Sequence, residues 1–336
     1  MVVALPAIEG KAWQPFKLDA LGIITLLGTD SLRQSMSRLV QSGFVEYLPL
    51  LAPQIIADNT ITNGVPGFTL FNITDGILAT DLSAWWTRWL TCQDVNWNTT
   101  VLDVSSEKRM RPLVTIRWIL MLLGNVLINV AIITVPVLLK DWYGFAASVS
   151  LVMTIVARAY ILQSLRSSID RCVLKADKQM DLVKLFLTLP SGKAVTIHTT
   201  RGIATEILLT EPQPKLIYLY RFFQWVDWIS LGVLVVTLGS ASLPLQIILI
   251  GIVLISTFVV VQRFGCDERH VGRRLVISSR TSVQQEDRRS SAYLNLNLSM
   301  EEEMAMISWH LIPMKYNTFW WNRYENEKRK ANQTVF

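Results

Sequence analysis

Residues 228–262 carry no formal charge, and nothing else in the chain limits its fold as severely. A straight helix through these thirty-five residues would run about 52 Å, against a bilayer hydrocarbon core of about 30 Å. One crossing is too short for that length, and two crossings need a bend. Gly239-Ser-Ala-Ser-Leu-Pro244 supplies it, small residues followed by a proline that resists helix continuation. The segment predicts a transmembrane hairpin, one span over 219–238 and its return over 243–262.

A second hairpin is expected upstream. Residues 118–139 are free of charge and long enough to span. Asn125 and Asn129 lie four apart and share a helix face, the spacing of amides that hydrogen-bond to a neighbouring helix for about 0.6 to 2 kcal/mol. Pro136 marks a kink near the far end. Lys140-Asp-Trp-Tyr-Gly144 is short enough only for a tight turn, and the return span, 142–165, opens on small residues (Ala146, Ala147, Ser148, Ser150) and contains Arg158.

Composition agrees with this reading. Charged residues make up 17% of the chain, against about 25% in soluble domains. The net charge of +6 is unevenly spread, because residues 1–105 are acidic and the remainder is strongly basic. Basic charge beside membrane spans suits an anionic leaflet. No RNA- or DNA-binding motif accompanies it, so nucleic acid is excluded as the expected partner.

Lysine and arginine counts set the orientation, because cytosolic segments hold the excess. Residues 98–117, 158–221 and 263–280 are rich in them, the first turn has Lys140 alone, and the second has none. The alternation predicts four spans with both termini cytosolic, and the sequons at Asn72, Asn98, Asn297 and Asn332 then go unused.

The extramembrane segments are less legible. Residues 1–110 read as an N-terminal cytosolic region, partly interfacial. Within it, 31–45 has the spacing of a short amphipathic helix, with Leu32, Met36, Leu39 and Val40 on one side. Trp85, Trp86, Trp89 and Leu90 form a helical stripe, read either as a membrane-docking face or as core, with core preferred. The first hairpin covers 113–165. Residues 166–215 form a cytosolic loop whose charged start, 166–184, reads as a solvated helix. Its 183–189 and 194–199 runs, around Pro190-Ser-Gly-Lys193, read as strand, turn, strand. The second hairpin covers 217–262. Residues 263–336 read as a basic tail whose Arg263, Arg269, Arg273, Arg274 and Arg280 contact lipid headgroups, and Ser299-Met-Glu-Glu302 is a capping box opening a short helix. The expected fold class is mainly α, a polytopic membrane protein with four transmembrane helices in two hairpins plus a small cytosolic β-hairpin.

Chemistry-bearing patterns are few. His198, His270 and His310 fall in three separate segments, the three cysteines form no CxxC, and neither a nucleophile elbow nor a complete phosphate loop is present. No catalytic constellation, metal site or cofactor is expected. The intramembrane polar candidates are Asn125, Asn129, Arg158, Arg221 and Asp227, with Arg158 and Asp227 at matching depths as an ion pair. Two function classes follow: a non-enzymatic scaffold or interaction protein, preferred, and a transporter or channel subunit acting as a homo-oligomer.

Lys140-Asp-Trp-Tyr-Gly-Phe145, Gly192-Lys-Ala-Val-Thr196, Gly265-Cys-Asp-Glu-Arg269, Ser299-Met-Glu-Glu-Glu-Met304 and Trp309-His-Leu-Ile-Pro313 occur in that order over residues 114–313. In these stretches the chain resembles a group of uncharacterised multi-pass membrane proteins of filamentous fungi. The resemblance implies a membrane protein of that kind and carries no activity or site residue with it.

Overall fold

The computed structural model describes residues 29–42, 46–50, 54–93, 95, 99–107, 116–281 and 289–333. The basic cluster Lys108, Arg109 and Arg111 and the sequon at Asn98 lie outside them, as does most of the first thirty residues.

Among the described residues, three helices are long and apolar enough to cross a membrane, by length and composition. They are α5 (Trp142–Ala176), α7 (Ile217–Ser240) and α8 (Leu243–Val261). The expectation was four. Before α5 comes α4 (Ile116–Leu138), whose apolar stretch Leu123–Leu138 is shorter. Pro244 sits in the first turn of α8, where its missing N–H has no helical acceptor to lose. Ile132, Leu151, Leu234, Leu238, Leu245 and Leu249 are buried together where the four helices meet. Among the described helices the most extensive packing joins α5 to α7.

The small β-hairpin expected in the central loop exists, as β5 (Leu182–Thr188) and β6 (Ala194–Thr200), but it is the middle of an eight-stranded sheet. The other strands are β1 (Val40–Ser42), β2 (Thr69–Asn72), β3 (Ile77–Ala79), β4 (Thr100–Ser106), β7 (Cys266–Val271) and β8 (Leu275–Thr281), in the order β1-β7-β8-β4-β6-β5-β2-β3. Strand β4 runs parallel to β6 and antiparallel to β8, with Leu102 opposite Ile197 and Ser279. The N-terminal region, the loop and the basic tail, read from sequence as three separate units, therefore share one set of backbone hydrogen bonds.

Successive side chains on a strand point to opposite faces, and both faces of this sheet are covered. Val183, Leu185, Leu187, Val195 and Ile197 turn to the main core, which they share with α1 (Thr29–Ser37), α3 (Ala84–Cys92) and the second half of α5. Phe186 turns to the other side, against Tyr293, Leu296, Met306 and Tyr324. Those residues come from α9 (Arg289–Asn295) and the turn that follows it, α10 (Met300–Ser308) and α11 (Thr318–Gln333). The capping box is present, with Ser299 accepting from the Glu302 N–H at 3.2 Å and Glu302 accepting from the Ser299 N–H at 2.7 Å. Between β1 and β2 lie a short helix, α2 (Gln54–Ala57), and a turn of 3-10 helix, Thr60–Thr62.

Of three further expectations, one holds and two change. Trp85, Trp86 and Trp89 are buried, with Trp86 stacked on Trp89 at 5.3 Å, so the stripe belongs to the core, the preferred of its two readings. The segment after residue 165 is not a solvated helix. It continues α5, and Leu165, Ile169 and Val173 are fully inside the main core while Arg171 and Lys175 stay at the surface. The tail from 263 is folded as β7 and β8, because Leu275 and Ile277 alternate inward with their arginine and serine neighbours outward.

Helix α6 (Arg201–Ile203) leads into a π-helical turn, Ala204–Leu208, that packs beside the end of α5. A Cβ at Gly202 would stand 2.2 Å from the Ala176 carbonyl oxygen, so only glycine allows this approach.

Candidate functional site

The elements that leave the helical bundle meet the N-terminal segment around a pocket of about 240 Å³. Its walls are the 3-10 turn with Asn59, the middle of α5 at Leu165, the loop Glu211–Pro214, and the first turns of α7. Each wall is fixed by local chemistry. Asn59 takes the left-handed conformation (φ 55°), which asparagine tolerates, and its amide donates to Thr62 Oγ1 at 3.0 Å. Its Oδ1 accepts from the Tyr220 hydroxyl at 2.6 Å, tying the turn to α7. Pro212 and Pro214 restrict the loop, whose Gln213 carbonyl accepts from Ser168 and Arg171 on α5.

Glu211 is the carboxyl group of this pocket. Its Oε2 accepts from the Ala84 N–H at 2.7 Å, at the start of α3, where free amides and the helix dipole favour a carboxylate. Burial nevertheless pushes its carboxyl up to about 7, against the opposing pull of the Ala84 amide and of Arg88. Burial also lowers the Arg88 guanidinium to about 10, and its hydrogens go to Ser37 Oγ and to the Thr60 and Asn63 carbonyls.

Buried arginines fasten the N-terminal segment to the rest. Arg38 pairs with Glu268 on β7. Arg166 on α5 pairs with Glu46 and donates to the Leu39 and Val40 carbonyls, at 3.1 and 2.8 Å. Both side chains of that pair are nearly enclosed, at 10% and 7% exposure, so neither charge is solvated if the other is removed.

The sequence candidates divide among several places. Arg158 is buried and donates to the Glu46 and Leu48 carbonyls, while Asp227, wholly buried on α7, exerts the largest attraction on it and Glu46 a second. Asn125 is buried, and Asn129 donates to the Asn125 carbonyl at 2.9 Å and to the Tyr47 carbonyl at 3.0 Å. Its partner outside α4 is thus the N-terminal segment. Arg221 is exposed at the pocket wall. The lipid-contact group is not a loose tail: Arg263 donates to the Cys92 carbonyl, Arg280 pairs with Asp103, and the Arg273 N–H donates to Asp170 at 2.8 Å.

His198 lies on β6, His270 on β7 beside Asp267 at 2.6 Å, and His310 after α10. Among the described residues no group of three or more His, Cys, Asp or Glu side chains is placed to hold a metal ion. Sequence reading missed Glu211, Glu46, Arg88 and Arg166. A lone acid between Leu208-Leu209 and two prolines, six residues ahead of α7, was the signal for Glu211.

No family model, no curated protein and no solved structure matches the chain. Function must therefore be read from geometry.

Proposed function

We propose that the chain is a four-span membrane protein, non-enzymatic, that holds a folded sheet domain at the cytosolic surface as an interaction platform. The observation that supports this most strongly is helix α5. It runs unbroken from Trp142 to Ala176, its first half in the apolar bundle and its second half in the core beneath the sheet. A continuous helix gives the domain a fixed pose relative to the membrane, where a linker would give reach without orientation.

Sheet connectivity supports the span count. Strands β4, β6 and β8 are hydrogen-bonded neighbours, so they occupy one side of the bilayer. The chain between β4 and β5 must then cross an even number of times, as must the chain between β6 and β7. Helices α7 and α8 satisfy the second condition. If α5 crosses, α4 must cross too, although its apolar stretch is the shortest. The basic excess around the sheet domain supports reading that side as cytosolic, with both termini there and its surface facing anionic headgroups.

The second reading, a transporter or channel subunit working as an oligomer, draws on Arg158, Asp227, Asn125 and Asn129. Against it, the outer half of the bundle closes on Leu151, Leu238, Leu245 and Leu249, and Arg158 is occupied by carbonyls of the N-terminal segment. The purified protein in sealed liposomes is expected to pass ions and small solutes no faster than protein-free liposomes. Saturable, protein-dependent flux would favour the transporter reading.

A further inference from the structure

The pocket beside Glu211 stands where α7 enters the membrane, given the proposed reading that α7 crosses the bilayer. Tyr218, Phe222 and Trp225, at i, i+4 and i+7, form one exposed face of the first turns of α7. Amphipathic rings of this kind settle at headgroup level. Ile217, Tyr220, Arg221 and Gln224, at i, i+3, i+4 and i+7, make the adjoining face and line the pocket. The pocket is therefore at headgroup depth, and about 240 Å³ suits a small polar group better than a drug-sized ligand.

Its charges have the pattern of a zwitterion. Glu211 is an acceptor with no ion-pair partner among the described residues, and Arg221 is a cation with none. We propose that this pocket binds the headgroup of an aminophospholipid, its primary ammonium hydrogen-bonded to Glu211 and its phosphate held by Arg221 and Gln224. An ammonium there supplies the counter-charge that burial of the carboxyl calls for. A quaternary ammonium has no N–H for Glu211 and is held by aromatic cages, whereas Tyr220 is the one aromatic side chain lining this pocket and its hydroxyl is engaged by Asn59. A serine headgroup adds a second carboxylate beside Glu211. Soluble phosphoethanolamine shares the recognised chemistry, but the adjoining lipid-facing aromatic row favours a ligand that stays in the leaflet.

The test is native mass spectrometry of the full chain, released from mixed micelles containing equal phosphatidylethanolamine and phosphatidylcholine. Wild type is expected to retain the ethanolamine lipid preferentially. Glu211→Gln should cut that preference about tenfold, as expected for loss of a charge-assisted hydrogen bond to the ammonium, and Arg221→Gln, which removes a phosphate contact that both lipids share, should cut retention of the ethanolamine lipid about tenfold, each with unchanged oligomeric state. Equal retention of the two lipids by wild type would overturn the proposal, as would a preference that survives Glu211→Gln or retention of the ethanolamine lipid that survives Arg221→Gln. On wild type alone, added phosphoethanolamine should displace the retained lipid and phosphocholine should not. Binding of phosphoethanolamine to delipidated protein that takes up no ethanolamine lipid would overturn the lipid as ligand. Alkaline carbonate extraction is read separately, because release of the chain into the supernatant would defeat the membrane reading itself.

Discussion

Single residues carry much of this structure's cohesion because the first hundred residues are joined to the rest through buried arginines. Removing one partner of the enclosed Glu46–Arg166 pair leaves the other charge uncompensated. Glu46→Ala is expected to cost roughly 3 to 5 kcal/mol, the usual range for breaking a buried pair, and to lower the melting temperature in detergent. An unchanged melting temperature would mean that the pair is solvated. Glu211 behaves in the opposite sense. Its carboxyl is raised from 4.5 to about 7 in the fold, so the folded protein binds the proton more tightly than the unfolded chain. Stability is then fully present at low pH and lost as pH rises through that window, by up to about 3 kcal/mol for this group. Glu211→Gln should flatten this fall in a melting-temperature series from pH 4 to pH 8, and a parallel pH profile in the variant would refute the assignment. None of these acids was legible in sequence, because a lone Glu46 or Glu211 looks like any surface acid until the element that buries it is known.

Elements show where sequence patterns suffice and where they fail. The bounds of α7 and α8 were readable within about two residues, because a charge-free run longer than a bilayer, broken at Leu243-Pro244, has few other solutions. The β5–β6 hairpin was equally clear, because its alternation and its Pro-Ser-Gly turn are local. Strands β4, β7 and β8 were not read, because their partners lie far away in sequence and β-pairing leaves no local signal beyond alternation. Leu275 and Ile277 did alternate, but the neighbouring arginines drew attention to charge instead. Helix α5 was read to Leu165 and cut there, since charges begin at Arg166. Gly202 offers a test of the packing that continues beyond that point. A methyl group there collides with the Ala176 backbone, which cannot rotate away, so Gly202→Ala is expected to destabilise the protein by about 1 to 3 kcal/mol. Gly232, with nothing near its Cβ position and no left-handed φ, is the control for adding a methyl group without a clash. If the two alanine variants melt together, the close approach at Gly202 is not a source of stability.

At the scale of the whole molecule, the sheet is what turns a set of helices into a topology. Basic counts predicted that residues 98–117, 158–221 and 263–280 share one side, and strand pairing supports a common side for β4, β6 and β8 on independent grounds, since hydrogen-bonded strands cannot sit across a bilayer from one another. The two turns at the far ends of the hairpins are joined as well: Asp141 accepts from the Gly144 N–H at 2.9 Å and from the Ser242 N–H at 2.6 Å. One end of the molecule is therefore a pair of bridged turns and the other a sheet covered on both faces. The most direct measurement of this account is labelling with a membrane-impermeant maleimide in sealed vesicles, on a background lacking Cys92, Cys172 and Cys266. Single cysteines replace Trp142 and Ser240 near the turns, and Lys178 and Tyr316 on the sheet domain, all four exposed. The account predicts that the first two label from one side and the last two only from the other. Labelling of all four from the same side, or of Lys178 and Tyr316 from opposite sides, would contradict it.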